Sequence, residues 1–241
     1  MEQNYVTPIF KSGNRSLIEN YRPITKISIF SKNFESIIAS KMFFLIKTVI
    51  IPEQHGFMSG RSTTTNLMVL EEFLLDAFGE GAQVDVIYTD FSKAFDRVNI
   101  KILIRKLAAL GIHGSLLEWL ESYLTDRRQA VKIKNCLSEE IFVKSGVPQE
   151  GHMSTILFIC FINDISDIFE NCILLLYADD LKIFRVIRDV GDCKKMQKDL
   201  NNLTKWCYKN SLLLNIDKCK VMRFHRTSQL ILFNYSLFTL F

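Results

Sequence analysis

Two adjacent carboxylates, Asp179 and Asp180, follow the apolar run Ile173-Leu174-Leu175-Leu176-Tyr177-Ala178, and the chain turns apolar again at Leu181. Like charges side by side repel each other, and inside an apolar stretch they also lose hydration. At about 4 Å and an effective dielectric near 20, the repulsion is on the order of 4 kcal/mol. A third carboxylate, Asp90, closes the segment Gln83-Val84-Asp85-Val86-Ile87-Tyr88-Thr89. If the two segments are neighbours in a sheet, three carboxylates converge on one edge. Hard oxygen ligands suit Mg²⁺, which keeps waters and takes one or two protein carboxylates plus substrate phosphates. Two such ions about 3.5–4 Å apart stabilise both the attacking and the leaving oxygen of an in-line phosphoryl displacement. They also offset the repulsion. A surface turn is the ordinary alternative for any Asp-Asp pair, because Asp is common in turns.

The elements that must position these groups follow from periodicity. "QVDVIYTD" reads as a strand with Val84 and Val86 on one face and Asp90 at its end. "CILLLYADDLKIF" fits a hairpin with its tip at Ala178-Asp179-Asp180. Upstream, a helix is expected from about Phe30 to Val49, closed by Pro52. A glycine- and hydroxyl-rich loop, 54–65, leads to a helix with Leu67, Leu70, Leu74, Ala77 and Phe78 on one face. Asn99 is a plausible N-cap for a helix striped by Ile100, Leu103, Ile104, Leu107 and Leu110, which Gly111 ends. "SLLE" at 115–118 has capping-box spacing and predicts the start of the next helix, with Leu116, Leu120, Tyr123 and Leu124 inward. "QAVKIKN" and "EEIFVKSGV" look like a hairpin, and a helix is expected over 153–169. A last amphipathic helix carries Met196, Leu200, Leu203, Trp206 and Cys207 to about Asn210, before short strands at "LLLNI" and "KVMRF". This order predicts an α+β domain, a mostly antiparallel sheet backed by helices.

Composition narrows the class. The chain has 241 residues, 48% of them hydrophobic, enough for one large domain or two coupled subdomains. A net charge of +4 is compatible with nucleic acid without requiring it. The cysteines at 136, 160, 172, 193, 207 and 219 form no C-x-x-C pair, which argues against a zinc site or a disulfide framework. The N-terminus lacks the apolar run of a signal peptide, and "TILFICFI" is far too short to cross a bilayer. An intracellular protein, nuclear or cytoplasmic and not secreted, is expected, with no membrane partner. A Walker loop, H-E-x-x-H and G-x-G-x-x-G are absent from the sequence, so ATPase, metalloprotease and dinucleotide readings lack support.

Several segments carry a family resemblance. "FSKAFD" after Asp90, "SGVPQ" at 145–149, "YADD" at 177–180 and "LNIDKCKV" at 214–221 stand in the order and spacing of reverse transcriptase motifs. "PIFKSGNRSLIENYRPI", "QHGFMSGRSTTTNL" and "LFICFINDI" resemble further motifs of non-LTR retrotransposon reverse transcriptases, closest to the jockey-like kind. The match runs from about residue 7 to 226. It implies a right-hand polymerase fold: fingers over 1–84 and palm over 85–226 with a fingers hairpin inserted near 128–145; a truncated apolar tail at 227–241, with the thumb absent, is expected after the last palm motif. It implies an RNA-directed DNA polymerase, acting on an RNA template, a DNA primer or target and deoxynucleoside triphosphates, with two Mg²⁺ ions or Mn²⁺ in their place. Asp90, Asp179 and Asp180 match the metal-binding carboxylates, with the backbone carbonyl of Phe91 assisting. Lys218 matches a lysine proposed to protonate the pyrophosphate leaving group. Phe95 matches the aromatic that blocks a 2′-hydroxyl, and Gln149 a residue near the incoming nucleotide. Arg22 matches an arginine that grips the triphosphate; Lys11 and Arg61 are weaker candidates for such contacts.

The second motif departs from the family run. Glu150 stands where a glycine is usual, and Thr155 where a helix-opening proline is usual. An anion about 4 Å from a triphosphate would cost roughly 1–4 kcal/mol. The alternative reading is therefore a degenerate or truncated copy that folds and holds nucleic acid without polymerising. A piece of a longer polyprotein is also expected. The sequence leaves the oligomeric state and the template open.

Overall fold

The computed structural model describes residues 4–26, 28–148, 151–226 and 229–237. The chain divides into two compact units. One takes residues 1–48 and 95–161, and the other takes 49–94 and 162–241.

The first unit is built on a small sheet. Strands β1 (Asn4–Phe10) and β2 (Tyr21–Lys26) form an antiparallel hairpin. Strand β4 (Arg128–Ile133) lies parallel to β1, with Tyr5 beside Ala130. Strands β5 (Cys136–Leu137) and β6 (Ile141–Phe142) each pair antiparallel with β4. The expected hairpin is thus present, but it also joins β1, a pairing across more than a hundred residues that no local pattern announces. Helix α1 (Ile29–Ile46) starts at Ser28, whose hydroxyl accepts the Ser31 N–H. It turns Ala39, Met42 and Ile46 inward together with Glu35. The Tyr123 hydroxyl donates to Glu35 Oε1 at 2.7 Å, and burial raises the Glu35 pKa despite that bond and the nearby His152.

Helix α4 (Ile100–Ala109) matches its expected stripe. Asn99 caps it by accepting the Ile102 N–H, and Leu103 and Leu107 are fully buried. Helix α5 (Gly114–Leu124) begins at His113 and carries no side-chain cap, so the capping box read at Ser115 does not form. Starting one residue earlier puts that serine inside the first turn. Helix α6 (His152–Ile162) explains "TILFICFI": it is apolar on all sides because it is buried on nearly all sides. It stops short of 169. A 3-10 segment, Asn163–Ile168, replaces the last turns.

The second unit holds a four-stranded antiparallel sheet in the order β7-β8-β3-β9. Its strands are β3 (Gln83–Thr89), β7 (Ile173–Tyr177), β8 (Asp180–Ile187) and β9 (Lys220–Phe224). A short helix, α3 (Ala94–Arg97), follows β3. Helix α2 (Thr63–Gly79) covers one sheet face, packing Leu70 and Ala77 on Val84, Val86, Leu175 and Phe184. Its buried face runs through Asn66 rather than the expected Leu67, which is 53% exposed. The reason lies at Asn66, whose side chain donates to the Leu176 carbonyl and so turns the helix.

Asp85 and Ile87 point to the other face, which helix α7 (Val190–Lys209) serves. Met196, Leu200, Leu203, Trp206 and Cys207 are buried on it, as the amphipathic pattern predicts, together with Asp192, Cys193, Asp199 and Thr204. Arg185 on β8 pairs with Asp192 on α7 at 2.8 Å. Residues 229–237, within the apolar tail, form no strand. The Gln83 amide exchanges two hydrogen bonds with the Ile231 backbone, and the Tyr235 hydroxyl donates to the buried Asp85 at 2.8 Å. "LLLNI" is likewise a single bridge, Phe91 to Leu214, and not a strand. Among the described residues, no helix is long and apolar enough to cross a membrane.

Candidate active site

Strand register decides which carboxylates meet. Thr89, the last residue of β3, pairs with Leu181 of β8. Continued by one residue, the ladder sets Asp90 opposite Asp180. Directly opposed residues in an antiparallel pair hold their Cβ atoms about 4.5–5.5 Å apart. The electrostatics agree. Partial desolvation raises the pKa of Asp180, and the charge of Asp90 raises it further; Lys182 and Lys218 pull the other way. Asp180 is exposed as a whole residue, yet its carboxyl has enough protein around it to lose part of its hydration.

Tyr177 pairs with Asp180, so Ala178 and Asp179 form a two-residue hairpin turn. Ala178 takes the left-handed conformation such turns use, with φ of +57°. Asp179 is partly buried in that turn. Among the described residues, no three His, Cys, Asp or Glu side chains form a group able to hold a metal ion. The register thus joins two of the three expected carboxylates, and the third lies beside them in sequence.

The segment after Leu212 braces the end of β3. Ser92 N–H donates to the Leu213 carbonyl and Asn215 N–H to the Asp90 carbonyl, each at 2.7 Å. This bridge uses neither peptide group of Phe91 itself, whose side chain is buried. A 3-10 turn, Ile216–Lys218, then carries the Lys218 ammonium to 2.8 Å from Asp90 Oδ2. Both partners are partly exposed, so the pair adds little stability. It does place a proton donor beside the carboxylates.

Phe95, Gln149, Arg22 and Lys11 belong to the first unit. Phe95, in α3, stacks on Phe158 of α6 with ring centroids 4.4 Å apart. The loop 145–148 is sewn to the same stretch. Val147 N–H donates to the Phe95 carbonyl, Gly146 N–H to that of Val98, and the Ser145 hydroxyl to that of Asp96. A side chain at Gly146 would meet the Asp96 backbone at 2.8 Å, and its φ of +84° also favours glycine. Gln149 and Glu150 lie outside the described residues. Arg22, on β2, is exposed and pairs across the hairpin with Ile9; Lys11, two residues past Ile9, is exposed too.

Two basic residues have structural work instead. Arg61 donates to the Ile51 and Gln54 carbonyls, so its guanidinium staples its own loop. Arg127 donates to the carbonyls of Leu124, Ser145 and Gly146. Sequence reasoning passed over Gln54 and Gly56, which press on the Ala178 turn. Their signal was an amide and a glycine inside "QHGFMSG", a segment read as a loop and as part of a family-like motif without either residue being singled out.

Solved structures share this architecture. Apo telomerase from Candida tropicalis matches with a TM-score of 0.67 at 15% identity, over 91% of this chain and 44% of that one. Telomerase from Candida albicans, in complex with a fragment of telomeric RNA, matches with a TM-score of 0.66 at 12% identity, over 98% and 43%. The fold is therefore the polymerase right hand.

Residues 9–232 match the model of the reverse transcriptase (RNA-dependent DNA polymerase) family, and the chain belongs to that family. It is 30% identical over 211 residues to a probable RNA-directed DNA polymerase from transposon BS of Drosophila melanogaster. That match covers 83% of this chain and 23% of the relative. The probable polymerase from transposon X-element of the same fly is 29% identical, over 67% of this chain and 18% of the relative. The chain thus spans about a quarter or less of the length of these relatives. They are non-LTR retrotransposon proteins, the kind the motifs resemble. Divalent-metal dependence is general to the family. The donor set fits such an ion: two hard carboxylates, mutually repelling, at the end of a sheet.

Proposed function

We propose that this chain is the RNA-directed DNA polymerase domain of a non-LTR retrotransposon, of the jockey-like kind. It adds deoxynucleotides to a primer 3′-hydroxyl on an RNA template. The observation that supports this best is the register that ends at Thr89 opposite Leu181 and so brings Asp90 and Asp180 to one end of the sheet, with the Lys218 ammonium beside Asp90, in a member of the reverse transcriptase family.

Asp90, Asp180 and Asp179, with the Phe91 carbonyl, would hold Mg²⁺, with Mn²⁺ as a substitute. When bound, the ions supply a lowered pKa at the primer hydroxyl and counter-charge at the pyrophosphate. Lys218 gives its proton to the pyrophosphate oxygen as the bond to the α-phosphorus breaks. Arg22 and Lys11 bind triphosphate oxygens, for which an arginine fork suits best. Phe95, backed by Phe158, excludes a 2′-hydroxyl, and Gln149 meets the nucleotide. Template and primer are held through their backbones, with little base readout. We assign fingers to 1–84 and palm to 85–226, with the 128–145 hairpin belonging to the fingers. The chain would act in the nucleus or cytoplasm.

Primer extension on an RNA template with Mg²⁺ and deoxynucleotides tests this. The unmodified chain should extend, and Asp179→Asn and Asp180→Asn should each lose at least about a hundredfold in rate, since metal-held charge is worth several kcal/mol. A second reading rests on Glu150, an anion in the motif that carries Gln149. Extension by Glu150→Gly alone would show a domain that holds nucleic acid but is silenced at that motif. Silence of every form in a folded chain would reject the polymerase reading.

A further inference from the structure

We propose that Gln54 is a positioning residue for the aspartate turn, and that the segment Glu53–Gly56 acts as its clamp. The proposal rests on the polymerase reading for its functional meaning, though not for its geometry.

Ala178 is buried and holds a left-handed backbone, with φ of +57°, which residues bearing a side chain seldom adopt. Its neighbours must hold it there. Gln54, 1% exposed and 124 residues away, grips it as one peptide grips another. Gln54 Oε1 accepts the Ala178 N–H at 3.0 Å, and Nε2 reaches the Ala178 carbonyl at 3.5 Å. The same Oε1 accepts the Gly56 N–H at 2.8 Å, which fixes the amide from its own side.

The backbone continues the grip. His55 N–H donates to the Leu176 carbonyl at 2.8 Å, and Leu176 N–H donates to the Glu53 carbonyl at 3.0 Å. The Leu176 carbonyl also receives the Asn66 amide. Gly56 approaches so closely that a Cβ there would lie 2.2 Å from the Ala178 nitrogen. No side chain fits at 56 unless the turn moves. The segment is itself pinned, since Arg61 donates to the Gln54 carbonyl and the Asn163 side chain accepts the Ile51 N–H. Ala178 separates Tyr177 from Asp179, and Asp180 follows. A rotation at Ala178 would carry both carboxylates away from Asp90. The clamp therefore sets where those oxygens lie without touching substrate or ion.

Gln54→Met keeps the volume and removes every amide contact. Leu70→Ala, in the core under α2 and not touching the turn, serves as the control for general destabilisation. Amide hydrogen exchange, Mn²⁺ binding followed by electron paramagnetic resonance, and primer-extension kinetics are measured on the full chain. In Gln54→Met, exchange at Leu176–Asp180 should rise at least tenfold while Val84–Tyr88 of β3 keep their protection. Mn²⁺ should bind at least fivefold more weakly. The kcat should fall at least tenfold, with the nucleotide KM moving less than threefold. Gln54→Glu keeps the Oε1 acceptor and loses the Nε2 donor; it should restore part of the protection, and it carries the test if Gln54→Met does not fold. Exchange and Mn²⁺ binding like wild type, or loosening spread through β3 as in Leu70→Ala, would overturn the clamp. Silence of the wild-type chain and of Glu150→Gly alike would remove the polymerase reading, while exchange and Mn²⁺ binding would still decide the clamp.

Discussion

The Asp192 carboxylate takes hydrogen bonds from the Arg185 guanidinium, the Arg188 N–H and the Lys195 ammonium. Burial alone would push its pKa up, but these donors outweigh that and hold it at about 2, against an ordinary value of 3.8. A depressed carboxylate pKa stabilises the folded chain at any pH above the ordinary value. That contribution fades as pH falls through the folded value. Unfolding titrations of the chain and of Asp192→Asn should therefore show the chain more stable from neutral pH down to about 4. The gap should close between about pH 4 and 2. A gap that stays constant over that range would mean Asp192 acts through packing alone. At Asp180 the same physics runs the other way: lost hydration and the charge of Asp90 raise its pKa, while Lys182 and Lys218 pull it down.

Elements place those residues, and the hairpin of β7 and β8 is the element that matters most. Its entry is locked from α7. Asp199, fully buried, accepts the backbone N–H groups of Glu170, Asn171 and Cys172 and the Asn171 side-chain amide. One fully buried carboxylate thus takes three successive peptide N–H groups at the start of the hairpin. Asp199→Ala should destabilise the chain by about 3 kcal/mol or more, read as a lower denaturant midpoint with an unchanged slope. Asp199→Asn, which retains one carbonyl acceptor, should fall between. The lock sits at one end of β7 and the Gln54 clamp at the other, so the hairpin is held at its entry and at its tip.

At the scale of the molecule, the cysteines report on how completely the chain is packed. Cys136 is exposed on β5, whereas Cys160, Cys193 and Cys207 are buried. Burial pushes the thiols of Cys160 and Cys207 up to about 12, which starves both of thiolate at neutral pH. Labelling with a maleimide should therefore modify Cys136 first. Cys160 and Cys207 should react only at the rate of unfolding, Cys160 reporting on the first unit and Cys207 on the second. Early labelling at either would show local opening of its unit, and peptide mapping would locate it.

The sequence by itself determined whatever one element can encode. Asn99 capped α4 as read, and Leu103 and Leu107 were buried on its stripe, because side chains 3.6 residues apart share a helix face. Asp90 fell at the end of a strand and Asp179 in a hairpin turn for similar local reasons. Tertiary structure alone decided the rest. The parallel pairing of β1 with β4, the place of β3 between β8 and β9, and the reach of Gln54 to Ala178 all join residues far apart in the chain. Leu67 missed the core because Asn66 found the Leu176 carbonyl, and Arg61 reached the carbonyls of Ile51 and Gln54 in its own loop. A side-chain period states which face is apolar but not which distant surface covers it. That choice depends on burying both faces of a sheet and satisfying every buried peptide group at once, which only the assembled fold can do.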